Sequence, residues 1–402
     1  MIPGSAVYHV VEAMVPLYTA AVLGYVSVRW LRAFSGEQCA GINHFVALYA
    51  VPVLIFHTIS TNDPYSMNGR LVAADTLQKA IILAILMAWA LWSHCYGRRG
   101  GGDDRKGVTA TAPLKWVVTA FSVAVLPNTI VMGVPLLNGM YGAVSGGLMK
   151  QIVVMQFCVW YNLVIFLYEF MAARDGGSVK ISPEPVAAAE NRTGDEDEAR
   201  ESQNNELTEV AEATTAITME DGSVCVAGVT STTTESARVP SVMHVVWMAG
   251  KKVLHNPNTY ASFLGLIWSL IAFKFGIKMP KIIEDSLFIV YTTAVGLSMF
   301  SSGTFIARQS RFVPCGYTIA SLSMLLKFLV GPVVMLLGSL TIGLHGTLLH
   351  IAVVQAALPL AVTSFVYAEE YKVKADIMST GVILGIFISL PVTIVYYILL
   401  GL

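Results

Sequence analysis

Charge is what this chain of 402 residues has least of: only 13% of them are Asp, Glu, Lys or Arg, against 55% apolar. Soluble domains carry about a quarter charged residues, so the composition points to lipid as the solvent. Cysteine is scarce too. Cys39, Cys95, Cys158, Cys225 and Cys315 are scattered, odd in number and without a C-x-x-C pair. No disulfide framework or zinc site is suggested, and small apolar residues in helices are the plain reading. Phosphate-loop, H-E-x-x-H and G-x-S-x-G patterns are absent, as is any nucleophile–base constellation, so the sequence does not read as an enzyme. It implies no cofactor and no metal. Basic residues stand beside apolar runs rather than in a patch, which leaves nucleic-acid binding unsupported.

What the chain does have is apolar length. A spanning helix needs roughly 20 mostly apolar residues. Ten such runs occur, near 7–28, 39–60, 71–93, 114–137, 148–170, 255–274, 286–307, 314–338, 347–368 and 377–399. No cleavable leader is expected, because the start lacks a basic segment and Val7 to Val28 is long enough to stay in the membrane. The stretch from about 175 to 243 breaks the pattern. Within it, residues 184–235 hold 13 acidic and 2 basic residues. Without apolar periodicity it cannot bury enough surface to offset the entropy of ordering, and is expected to be disordered.

The chain therefore divides into a first five-helix repeat (1–173), an acidic loop (174–245) and a second five-helix repeat (246–402). An odd number of spans per half inserts the second half with opposite polarity, as an inverted repeat requires. Internal matches agree. Pro16, Tyr18, Leu23 and Gly24 in the first span answer Pro257, Tyr260, Leu264 and Gly265 in the sixth. Leu126-Pro127 in the fourth span answers Leu358-Pro359 in the ninth. The expected fold is an all-α polytopic membrane protein: ten transmembrane helices in two inverted repeats, with proline-broken helices 4 and 9 crossing. Lys and Arg in the connecting loops, Arg105, Lys106 and Lys180 among them, divide 15 to 5 between the two sides. The acidic loop is then cytosolic and both termini are exterior or lumenal. The sequon Asn191-Arg192-Thr193 would lie on the side that is not glycosylated.

Proline within a helix removes a backbone donor, and in hydrocarbon the freed groups need partners or a wet cavity. Two breaks at matching places would bring half-helix N-termini together, offering N–H groups and a positive dipole end to an anion. A pair of ordinary proline kinks is the bland alternative; paired placement favours the crossing. Asn128 adds an amide directly after the first proline. Leu360 follows the second, with Thr363 and Ser364 a turn later and Gln355 a turn earlier; each of these polar residues either lines a cavity or bonds a helix carbonyl. Asp75 and Lys79, at i and i+4, share one helix face. They are functional candidates by default inside a span, unless both snorkel to the interface. If the pair is desolvated, Asp75 exchanges a proton coupled to substrate movement. Lys327 sits mid-span and needs a partner, either a helix terminus or broken backbone, or an ion path. Gln156 and Tyr161 in the fifth span are candidates for the same cavity. His57, His350, Glu12 and Glu169 read as interfacial or structurally bonded.

These residues carry a family resemblance. Glu12-Ala13-Met14-Val15-Pro16-Leu17-Tyr18, Val125-Leu126-Pro127-Asn128-Thr129 and Asn256-Pro257-Asn258-Thr259-Tyr260 belong to it. So do Met324-Leu325-Leu326-Lys327-Phe328 and Gln355-Ala356-Ala357-Leu358-Pro359. Over all but the loop, the chain resembles the PIN-FORMED auxin efflux carriers of the short-loop type. The resemblance implies a sodium-independent carrier of indole-3-acetic acid, working as a homodimer by an elevator-like movement. It implies substrate contacts at Pro127, Asn128, Val131, Pro359, Leu360, Val362, Thr363 and Ile55. It also implies an Asp75–Lys79 pair supported by Gln156 and Tyr161. Ile55 stands where some relatives have serine, and Leu360 where glutamine is usual, so the pocket is less polar. Membrane lipid and kinases acting on the loop are the further partners implied. Short-loop members favour the endoplasmic reticulum membrane, with the plasma membrane the alternative. Two rival readings stay open: a sodium- or proton-coupled symporter of another organic carboxylate, and a non-transporting scaffold that uses the acidic loop.

Overall fold

A computed structural model describes residues 4–99, 111–174 and 242–401 of the chain. Most of the acidic loop lies outside these residues, with the sequon at Asn191, Cys225, Arg105, Lys106 and Lys180. Among the described residues the fold is helical and contains no strand beyond one isolated bridge.

The first half runs α1 (Gly4–Arg29), α2 (Gly36–Ser60), α3 (Gly69–Arg99), α4 (Ala112–Val125), α5 (Thr129–Tyr141) and α6 (Ala143–Arg174). After the loop come α7 (Val242–Leu254), α8 (Pro257–Phe275), α9 (Lys281–Arg308) and α10 (Tyr317–Ile342). The chain ends with α11 (Gly346–Ala356), α12 (Val362–Glu370) and α13 (Ala375–Gly401). Local chemistry sets these boundaries. Ser35 opens α2 with a capping box, its hydroxyl accepting from the Gln38 amide while the Gln38 side chain accepts from its own. Asn256 caps α8 ahead of Pro257, and Gly276 ends it at φ +67°, a left-handed conformation that favours glycine.

Seven helices are long and apolar enough to cross a membrane: α1, α2, α3, α6, α9, α10 and α13. The expected fourth and ninth spans appear as the short pairs α4–α5 and α11–α12, interrupted at their prolines. The expected sixth span falls on α8, whose polar first turn at Asn258 and Thr259 lowers its hydropathy, and it is not one of the seven. One element was not anticipated. α7 begins at Val242, inside the stretch assigned to the loop, because Val245, Ala249 and Val253 recur every fourth residue and bury one face.

Packing follows small residues. α1 lies on α9 along most of its length, and a side chain at Gly24 or Gly303 would run into the facing helix backbone. α8 lies on α2 in a similar way. Apolar side chains such as Ile282 and Ile289 point outward from α9, as expected where hydrocarbon is the solvent. Two buried clusters flank the centre. One gathers Met14, Val131, Met132, Leu136, Ile351 and Leu358; the other gathers Ile55, Phe121, Leu126, Trp160 and Tyr161.

Candidate functional site

The two broken helices meet backbone to backbone. Pro127 and Leu360 form an antiparallel bridge, in which the Asn128 amide donates to the Pro359 carbonyl at 2.8 Å and the Ala361 amide to the Leu126 carbonyl at 3.3 Å. Each break thus supplies the partner the other lost, which is how irregular backbone survives at membrane depth. α5 starts at Thr129 and α12 at Val362, one on each side of the bridge. Their first N–H groups have no acceptor within their own helices, and their positive ends face the crossing.

Side chains differ between the two breaks. Asn128 is half-buried, and its side-chain amide, unlike its backbone N–H, makes no hydrogen bond among the described residues. Pro127 leaves its carbonyl to Gln156, whose Nε2 donates at 2.8 Å, while the Thr129 hydroxyl donates to Gln156 Oε1 at 2.7 Å. Gln156 and Thr129 each open a turn of π-helix, a form that concentrates at functional sites. At the second break Leu360 is buried among Phe365, Met378 and Ile383, with Val362 against the same cluster. Thr363 is half-buried, and Ser364 meets the Tyr161 hydroxyl at 3.5 Å. Ile55 and Val131 are both buried in the flanking apolar clusters.

The charged pair forms a separate group one turn behind the second break. Asp75 and Lys79 form an ion pair and are fully buried, so neither reaches the interface. Gln355 Nε2 donates to Asp75 Oδ1 at 3.1 Å, and Gln78 Nε2 to the Gly331 carbonyl at 2.8 Å. Gln156 and Tyr161 have their bonds at the crossing rather than on this pair. The expected partner of Lys327 is absent: its ammonium is buried and without a hydrogen bond among the described residues, as are Asp75 Oδ2 and Gln355 Oε1. Gln355 belongs with the ion pair rather than the crossing. Gln78 and Thr129 escaped the sequence reading, although Gln78 stands three residues after Asp75 and so on its face.

The lower-ranked candidates are bonded elsewhere. His57 stacks on Tyr291 with ring centres 3.8 Å apart, and Glu12 meets His9 at an exposed end. Glu169 is buried, with Lys252 at 2.9 Å and the Tyr371 hydroxyl donating at 2.7 Å.

Comparison with known proteins gives this geometry a context. The membrane transport protein family matches residues 9–397. The rice protein called probable auxin efflux carrier component 9 is 68% identical, with all of both chains covered. Auxin efflux carrier component 8 of Arabidopsis thaliana is 39% identical over 402 residues, again with all of both chains covered. Probable auxin efflux carrier component 1b of rice is 35% identical, and its alignment extends over 563 residues, covering 98% of this chain and 99% of its own. These are transporters embedded in membranes by several apolar helices, not enzymes, and the chain belongs to the PIN-FORMED auxin efflux carriers of the membrane transport protein family.

Proposed function

We propose that this chain is a secondary carrier that moves the indole-3-acetate anion across a membrane and so contributes to cellular auxin homeostasis. The observation that carries the reading is the crossing: two half-helix N-termini converge there with the Asn128 side-chain amide, which has no hydrogen bond among the described residues. The names of the relatives supply the substrate, and the apolar surroundings of Ile55, Leu126 and Leu360 suit an indole ring. Val131, Val362 and Thr363 would line the same space.

Several observations support ten spans in two inverted repeats. α1 packs on α9 as α8 packs on α2, an exchange of first and second spans between halves. The matched glycines Gly24 and Gly265 both sit at such contacts. Elevator-like movement would carry the crossing past α1, α2, α8 and α9. The shallow apolar groove along Phe34, Ile42, Phe45 and Leu297 favours a homodimer through α2 and α9. Positive loop charge favours a cytosolic acidic loop, open to kinases, and the short loop favours the endoplasmic reticulum. Asp75 would gain and lose a proton as Gln355 moves with the second break.

Labelled indole-3-acetate uptake into proteoliposomes tests the proposal, comparing the intact chain with Asn128→Ala, with and without sodium. Uptake independent of sodium and reduced about ten- to a hundred-fold in the variant is expected, the weight of a hydrogen bond to a charged group. Absence of uptake would overturn the substrate, and strict sodium dependence would favour a coupled symporter of another carboxylate.

A further inference from the structure

We infer that α7 is a binding site for an anionic membrane surface, a role independent of the transported substrate. The helix has two faces of different use. Val245, Ala249 and Val253 are buried against α6, and Lys252 extends from the same side to Glu169. On the opposite side Met243, Trp247 and Leu254 are 75%, 61% and 63% exposed, and Lys251 lies over the Trp247 ring. An apolar stripe holding a tryptophan, edged by an exposed lysine, is the pattern of a helix lying in a membrane interface.

Chain connectivity sets the level of the stripe. Only His255 separates α7 from Asn256, the residue that caps α8. A helix joined so closely to a span lies at its end, where lipid headgroups are. Charge then selects among possible covers. No acidic residue occurs between Ser236 and Ile283, while Lys251, Lys252, His244 and His255 stand on or beside α7. Residues 184–235, with 13 acidic side chains, match the lysines but offer little for Trp247 and Leu254 to enter. An anionic leaflet provides both the charge and the hydrocarbon.

The test uses the full chain with its five cysteines replaced, a single cysteine introduced as Met243→Cys and a bimane label there. The protein is placed in nanodiscs of phosphatidylcholine alone or with phosphatidylserine. Nitroxide lipid labelled near the headgroup is expected to quench the probe, more strongly with phosphatidylserine. Lys251→Glu is expected to reduce the serine-dependent part about five-fold, and Lys251→Arg to preserve it. Met243 and Lys251 are exposed, so substituting them leaves the packing of the cysteine-free parent unchanged, and that parent is the reference throughout. Quenching by aqueous iodide and not by the nitroxide lipid would overturn the proposal. So would shielding that vanishes when residues 184–235 are deleted, which identifies the acidic segment as the cover. Shielding that requires two copies per disc would identify a second chain and overturn it equally.

Discussion

The two breaks at the crossing solve one backbone problem with different side chains. At the first, the buried Pro127 carbonyl accepts from Gln156 and Thr129, and the Asn128 side-chain amide is left without a hydrogen bond among the described residues. At the second, Leu360 is sealed in an apolar cluster, and the polar residue that precedes the break, Gln355, turns away to Asp75. The first break therefore leaves a polar side chain unbonded among the described residues, while the polar residue before the second is tied to a buried ion pair.

The sharpest way to break this comparison is to remove the anchor of the second half. Asp75→Ala leaves Lys79 buried without its counter-ion, beside an already unpartnered Lys327. A loss of about 3–5 kcal/mol is expected, the usual result of breaking one side of a buried pair. Thermal unfolding in detergent reads it. An unchanged midpoint would mean that the ion pair does not hold the second break.

A smaller effect is expected at the first break. Gln156→Leu removes two hydrogen bonds, one to the Pro127 carbonyl and one from the Thr129 hydroxyl, which keep each other as partners, at about 0.5–1.5 kcal/mol for each bond lost. Ser364→Ala at the second break removes only a 3.5 Å contact with Tyr161 and should unfold close to the parent. Equal losses in the two variants would show that the breaks rely on side chains to the same degree.

Much of this arrangement was legible in the sequence, for physical reasons. Apolar runs and two prolines at matching depths announce helices and their interruptions, because lipid leaves the backbone few alternatives. Asp75 and Lys79 announce themselves by charge within a span. Gln355 was seen as polar but misplaced, since spacing from Pro359 does not reveal which neighbouring helix its amide meets. The partner of Gln156 is a carbonyl, a group carried by every residue and so invisible in a sequence. α7 was missed because its apolar residues follow a long acidic stretch and number too few for a span.

The last contrast lies at the far ends of the half-helices. α5 ends at Tyr141 and Gly142 without a charged side chain, whereas α12 ends at Glu370, beyond the apolar run and close to Glu169 and Lys252. Burial and then the Glu169 carboxylate hold the Glu370 carboxyl above its ordinary value, with Lys252 opposing. The folded chain therefore binds this proton more tightly than the unfolded chain does. Its contribution to stability is complete below the ordinary glutamate range and is lost as pH rises through the raised value. Glu370→Gln, which stays neutral, should match the parent in acid and unfold at a higher temperature as pH increases. A parent that instead outlasts the variant as pH rises would mean that Lys252, not burial, governs this carboxyl, and that the second half-helix ends in an ion pair.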